Sequence, residues 1–375
     1  FNQSIINWDV SKVITMYEMF EGAPRFNKNI RSWNTMNVTD MSNMFNSATA
    51  MNDRFNGFYG YGNTPSNTFF NVDYITDTYF TSEITNWFDN SQNSQFIDPT
   101  NNPYYSPLPF WETELVTNMS NSFLNRTTFN ENIGNWNLEN VTNTTSMFNG
   151  AIQFNNGGQT DISGWNTSNV TNMINMFKDS SFNQPIGEWN TANVTNMIGL
   201  FMDSNFNQPI GEWDVSKITN MNVLFYNTPF NQDISSWNTS NVTHMGQMFQ
   251  GASVFNQNIG KWDVGNTTNM GYMFYHAFAY NNNGQEDISG WNTSNVVTME
   301  GMMADSVFNQ PIGTWDVSKV TTMNTMFYNT PFNQDISGWI TSNVTDMGQM
   351  FESATVFNQN IGKWDVGNTT NMGYM

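Results

Sequence analysis

The chain has 375 residues, 11 Lys+Arg against 31 Asp+Glu for a formal net charge of −20, and no cysteine. That charge tells against nucleic-acid binding by phosphate neutralisation and against an anionic membrane surface. The missing thiols exclude disulfides, thiolate metal sites and cysteine nucleophiles, and no run of about 18 apolar residues is present to span a bilayer.

Tryptophan sets a period from the first coil onward. It stands at Trp8 and Trp33, then at Trp87 and Trp111. A longer run follows at Trp136, Trp165, Trp189, Trp213, Trp237, Trp262, Trp291, Trp315, Trp339 and Trp364. Most gaps are 24 or 25 residues and two are 29. Periods of roughly 20 to 30 residues signify a solenoid whose stacked repeats share one core. Residues 1–56 read as coils, and 57–108 as an aromatic, Asn-rich insertion punctuated by proline. Residues 109–375 then read as coils again, with Trp111, Val116, Met119 and Phe123 resuming the pattern. Such an insertion is expected to be a partner-contact element or a passive excursion. The chain opens at Phe1 in mid-coil, and NMGYM at 371–375 repeats NMGYM at 269–273, so it reads as a window on a longer array.

The coil FNQPIGEWDVSKITNMNVLFYNTP (206–229) shows the plan. Phe206, Ile210 and Trp213 occupy a half that looks extended, and Ile218, Met221, Leu224 and Phe225 a half with i, i+3, i+6/i+7 spacing that suits a short helical or 3-10 turn. The expected fold is therefore a repeat solenoid, leucine-rich-repeat-like, with one short parallel strand and one helical or 3-10 turn per coil; a parallel β-helix is the alternative. The fixed phase of Trp136 through Trp364 makes them a core ladder rather than sugar platforms, and the Met positions read as core filling.

Two coils are longer by about four residues, FNNGGQTDISGW (154–165) and YNNNGQEDISGW (280–291), which marks that corner as a permissive loop site. Residues 206–273 recur as 308–375 with eleven differences in 68 positions. Ile218 to Val320 and Leu224 to Met326 are mild core exchanges, while Glu212 to Thr314 and His244 to Asp346 fall on the presumed surface.

After Trp, Asp and Asn alternate in Asn190, Asp214, Asn238, Asp263, Asn292 and Asp316. Stacked carboxylates repel, and either side chain can bond the backbone two residues on, so a turn-capping ladder is preferred to a calcium site. Lys follows three residues later in Asp9/Lys12, Asp214/Lys217 and Asp316/Lys319. A Thr column (Thr171, Thr195, Thr219, Thr243) fits stacked backbone. Asn-x-Thr sequons at Asn140, Asn169, Asn193, Asn241 and Asn343 are candidate glycosylation sites, although an Asn/Thr-rich repeat creates sequons automatically.

Catalytic motifs are missing. The two histidines, His244 and His276, have no recurring partner in sequence, and there is no P-loop, G-x-S-x-G or H-E-x-x-H. The expectation is a protein that is not an enzyme and has no cofactor, calcium being the one candidate ion.

The segment FNQDISSWNTSNVTHMGQMFQGASVFNQNIGKWDV (230–264) resembles the repeat of BspA-like leucine-rich-repeat surface proteins of the mycoplasma lipoprotein type. That resemblance implies a secreted or surface-displayed protein used in adhesion or envelope structure. The expected function is thus an extracellular structural or interaction protein at a cell or virion surface, self-associating into a layer, fibre or appendage. The alternative is an adhesin that binds glycans or host surface proteins through its sheet face and the 57–108 insertion.

Overall fold

Asparagine side chains join the coils where the sequence suggested strands. The computed structural model describes residues 1–3, 5, 8–56, 60–70, 76–91, 111 and 113–375. These group into two units, Phe1–Leu115 and Val116–Met375.

In Val116–Met375 the Phe-Asn-Gln half of each coil hangs on the coil before it. The backbone N–H groups of Asn207, Asn231 and Asn256 donate to Oδ1 of Asn183, Asn207 and Asn231 at 2.9–3.0 Å. The same ladder runs from Asn130 to Asn358. Gln208 and Gln232 add Nε2 donors to the same oxygens at 3.1 and 3.0 Å. A side-chain amide reaches farther than a backbone carbonyl, so the two backbones are joined without the continuous pairing a strand requires.

The Val-Thr half is built differently. Met221, Val223, Phe225 and Asn227 donate their N–H groups to the carbonyls of His244, Gly246, Met248 and Gln250 in the next coil at 2.8–3.1 Å. The intervening Leu224, Tyr226 and Thr228 close turns onto Met221, Val223 and Phe225 at 3.3 Å. Every second N–H leaves the coil and every other one closes a turn within it. Two residues per coil, four apart, are left-handed: Asn175 and Asp179, Gly199 and Asp203, Val223 and Asn227. A left-handed residue that often stops any helix before it can propagate.

These findings overturn the expected fold class. Among the described residues there is no multi-residue strand, only single parallel bridges such as Asn220 to His244 and His244 to Asn269. The turn half holds no helix, and the four 3-10 segments of this unit (Asn156–Gly158, Asp161–Gly164, Asn282–Gly284, Glu286–Gly290) lie in the two longer coils instead. Neither the leucine-rich-repeat-like plan nor the β-helix describes the chain. What holds is a stack of coils whose backbones are hydrogen-bonded 23 to 29 residues apart.

The core is a set of apolar columns. Phe201, Phe225, Phe249 and Phe274 stack at 5.5–5.9 Å between ring centroids. Beside them Phe206, Phe230, Phe255 and Tyr280 form a second column, each 3.7–3.9 Å from its partner in the first. Met221, Met245 and Met270 are fully buried next to them. Each such Phe or Met contributes about 1.5–3 kcal/mol by leaving water.

The unit Phe1–Leu115 begins with similar coils, Trp8 stacking on Trp33 at 6.2 Å and Thr15 bridging Asp40. Residues 60–70 then substitute for a coil: Asn63 O accepts the N–H of Phe45, Thr64 Oγ1 that of Asn43, and Phe69 is fully buried. Helix α1 is Thr49–Phe55 and α2 is Asp77–Ser91, which carries Trp87 and buries Phe80 and Ile84. The rest of the insertion (57–59, 71–75 and 92–108) lies outside the described residues.

Val223 is β-branched, yet its φ is +52°. The same column holds Asn121 and Asn175, residues that tolerate this region at little cost. Replacing Val223→Asn is expected to stabilise the protein by about 1 kcal/mol, read as a higher urea midpoint at unchanged slope. A lower midpoint would mean that the valine contacts outweigh the strain.

Candidate functional site

The predicted Trp ladder is placed in the core. Trp136, Trp165, Trp189, Trp213, Trp237, Trp262, Trp291, Trp315 and Trp339 are 3–4% exposed and Trp364 is 8% exposed, so their faces are closed to a sugar. Each indole from Trp165 to Trp364 donates Nε1–H to an Ile carbonyl of the preceding coil, as Trp213 does to Ile186 at 3.0 Å and Trp237 to Ile210 at 3.1 Å. That carbonyl already accepts the backbone N–H of its own tryptophan, Trp189 to Ile186 at 3.1 Å. One oxygen thus locks the turn within a coil and the register between two coils.

The sequon asparagines are exposed but engaged. Asn169, Asn193, Asn241 and Asn343 donate Nδ2 to Glu139, Ser168, Ser216 and Ser318 carbonyls one coil back at 2.6–2.8 Å. Their sequon threonines Thr171, Thr195, Thr243 and Thr345 also donate to carbonyls of the preceding coil. Asn140 is exposed at the equivalent place. This column acts as an inter-coil fastening whatever else it carries.

The turn after Trp has the geometry its residue types suggested. Asp214 and Asp316 accept the N–H of Ser216 and Ser318 at 2.9 Å, and Asn190 accepts that of Ala192 at 3.1 Å. The serine hydroxyl and N–H hold both carboxyls below the usual aspartate range, with a smaller pull from Lys217 and Lys319. The lysines bond elsewhere, Lys217 to Asn193 Oδ1 at 2.8 Å and Lys319 to Asn295 Oδ1 at 2.7 Å.

The longer coils are not loose loops. Asn156 and Asn282 are fully buried, accept the N–H of Ile133 and Ile259 at 2.9 Å, and donate to Asp161 and Asp287 at 2.8 and 2.9 Å. The other oxygens of Asp161 and Asp287 take Nδ2 of Asn132 and Asn258. With amides on both oxygens, neither carboxylate is set out for an ion, and no group of three His, Asp or Glu able to hold a metal occurs among the described residues.

One coil of Val116–Met375 departs from the pattern on its outer face. Where coil 242–252 carries Gln247, Gln250 and Gly251, the next carries Tyr272, Tyr275 and His276, followed by Phe278. His276 lies 3.8 Å from Tyr275 and 5.7 Å from Phe278 between ring centroids, with both pairs stacked. Its Nε2 is 3.0 Å from Asp305 Oδ2 in the following coil, whose Oδ1 takes Nδ2 of Asn329 at 2.7 Å. Tyr272 meets Tyr275 edge-on at 5.6 Å and donates its hydroxyl to Glu300. Gly301 makes room for the Tyr272 ring: a Cβ there would lie 2.4 Å from a ring carbon. Burial, then Glu300, pushes the Tyr272 phenol upward, and burial, then Asp305, does the same to Tyr275.

The structure gives His276 a partner that its local sequence lacks. Its partner stands 29 residues on, the length of one longer coil, so the signal was the period rather than any local motif. The His244 ring bonds locally, to Thr243 Oγ1 at 2.8 Å.

The family described as "Mycoplasma protein of unknown function, DUF285" matches residues 1–87, 82–208, 199–286 and 277–375. No curated protein and no solved structure matches the chain.

Two outcomes are expected from the ladders. Trp213→Phe removes the indole donor to Ile186 and part of a buried ring, and should destabilise by about 2 kcal/mol in urea denaturation; no loss would mean the indole bond is dispensable. Asp214 and Asp316 have lowered folded-state pKa values, so their contribution is present above the unfolded value of about 3.9 and lost as pH falls through the folded value. Wild type should therefore exceed the Asp214→Asn/Asp316→Asn variant in melting temperature at pH 7, the gap closing as pH falls below the unfolded aspartate value. A pH-independent gap would remove the ionised carboxylates from the account.

Proposed function

This chain belongs to the DUF285 family along its whole length, and on that premise we propose that it is an extracellular structural and interaction protein, a stack of locked coils that associates with copies of itself in a surface layer or fibre. The observation that carries this reading is where the copied block differs. Of the eleven exchanges between 206–273 and 308–375, only Ile218/Val320 and Leu224/Met326 are buried. The others, including Asn220/Thr322, Val223/Thr325, His244/Asp346 and Gln250/Glu352, lie on exposed or half-buried columns. An interior changed only by apolar-for-apolar exchange under a more variable exterior suits a protein whose product is surface.

Self-association is supported by exposed apolar side chains in several coils at the corner that enters the Phe-Asn-Gln half, with proline or alanine in the coils between the valines. Ile152, Val254, Val307 and Val356 are 47–56% exposed there, within two residues of the leading Phe. Repeated apolar side chains on an outer corner favour burial against another molecule. The resemblance of 230–264 to BspA-like surface repeats supports a surface location, without the leucine-rich-repeat fold.

The second reading, an adhesin, is favoured by the aromatic face around His276, which the stack does not need for its own core. Negative-stain microscopy and sedimentation of the purified protein at physiological salt test the first reading. Regular fibres or sheets are expected, reduced to single particles by Val254→Lys with Val307→Lys. Single particles for the unaltered protein up to high micromolar concentration would remove self-association.

A further inference from the structure

The aromatic coil is built for contact rather than for packing. Its core positions are already filled, with Phe274 on Tyr280 at 3.7 Å and both fully buried. Tyr275, His276 and Phe278 are additional rings outside that core, with Phe278 55% exposed and the His276 side chain 44% exposed. They are nonetheless held in place. His276 is fixed between the Tyr275 ring and Asp305, and Tyr272 is seated over Gly301 and tied to Glu300. Rings fixed before a ligand arrives forfeit little entropy on binding it.

The charge around these rings has one sign. Between residues 194 and 356 the basic side chains are Lys217, Lys261 and Lys319. Lys217 and Lys319 bond the asparagine column after the Trp turn, and Lys261 immediately precedes Trp262. The outer columns of the turn half carry Glu300, Asp305, Asp346 and Glu352 instead. Low-dielectric ring faces beside Glu300 and Asp305, with Asp346 near enough to act on the Tyr272 phenol, set a negative potential at the patch. A guanidinium satisfies both features at once: its plane stacks on an aromatic face, and its charge is drawn to the carboxylates.

We propose that Tyr272, Tyr275, His276 and Phe278, with Glu300 and Asp305, form a docking site for an arginine-bearing polypeptide segment. A neutral sugar would use the ring faces but gain nothing from the carboxylates beside them. The site deepens the contact-scaffold reading and rests on it. Sedimentation reports that reading, and ligand titration reports this one.

The test titrates the whole protein at physiological salt with a synthetic peptide of alternating arginine and leucine, and with the same peptide carrying citrulline for arginine. The arginine peptide should bind and the citrulline peptide should not. Tyr275→Ala with Phe278→Ala should raise Kd about tenfold or more, while Glu188→Gln with Glu212→Gln, elsewhere on the surface, should change it less than twofold. The citrulline comparison needs no variant, so it stands even if the aromatic pair proves necessary for folding. Equal weakening by both variants would reduce the binding to general electrostatics and overturn the site. So would binding of the citrulline peptide, no binding at all, or Phe278-dependent binding of chitotetraose in place of the peptide, which would make it a glycan site.

Discussion

A backbone N–H captured by an asparagine one coil away is the interaction on which the rest of the stack depends. Buried backbone donors must be satisfied; the Val-Thr half does this through carbonyls of the next coil, but between the leading Phe and the Trp the coils do not pair backbone to backbone. Asn183, Asn207 and Asn231 solve this by presenting Oδ1 to the next coil. Each asparagine donates its backbone N–H to the coil before and accepts at Oδ1 from the coil after, so the column repeats from coil to coil; carboxylates could accept the same bond, but stacked one per coil they would repel one another. The chain's polarity without charge, 11% charged residues, follows from that requirement. Trp213 and its equivalents then fix the register, because one Ile carbonyl serves two tryptophans at once.

With register fixed from inside and by the exposed Asn and Thr fastenings, several other outer columns are released from structural duty. Positions such as 247, 250 and 251 can become tyrosine, glutamate, histidine or glycine without disturbing a ladder. The coil of Tyr272, Tyr275 and His276 uses that freedom most fully. Its rings gain order from the following coil through Glu300, Gly301 and Asp305 rather than from its own. A functional face of this kind belongs to two coils jointly, and neither carries it alone.

Much of the interior was legible in the sequence, because burial depends on spacing and the spacing is regular. Trp213, Phe206 and Met221 are core where the period put them, and Asp214 bonds Ser216 as an Asx turn should. Secondary structure was not legible in the same way. A run of Val-x-x-Met-x-x-Met-Phe suits a helix by its i, i+3 apolar positions, but successive i−3 turns broken by left-handed residues have the same apolar spacing. The distinguishing mark was the recurrence of Asn175, Asp179, Gly199 and Asp203 four residues apart. The strand expectation failed for a related reason: Phe-Asn-Gln looks extended, and only geometry shows that its asparagine takes over the pairing. Asn156 and Asn282 look like loop residues in sequence, yet their depth makes them buried pins. The pairing of His276 with Asp305 was visible only by adding one coil length to a residue number.

In Val116–Met375 each coil is tied chiefly to the coils next to it, 23 to 29 residues away in sequence. Under tension such a stack would not yield as one body. A coil whose bonds and ring contacts to its neighbour have all parted is held by nothing else, and it pays out its chain while the coils behind it stay closed. Each release of 24 residues lengthens the molecule by about 80 Å, so the stack would absorb load in discrete steps, as a tether with slack stored turn by turn.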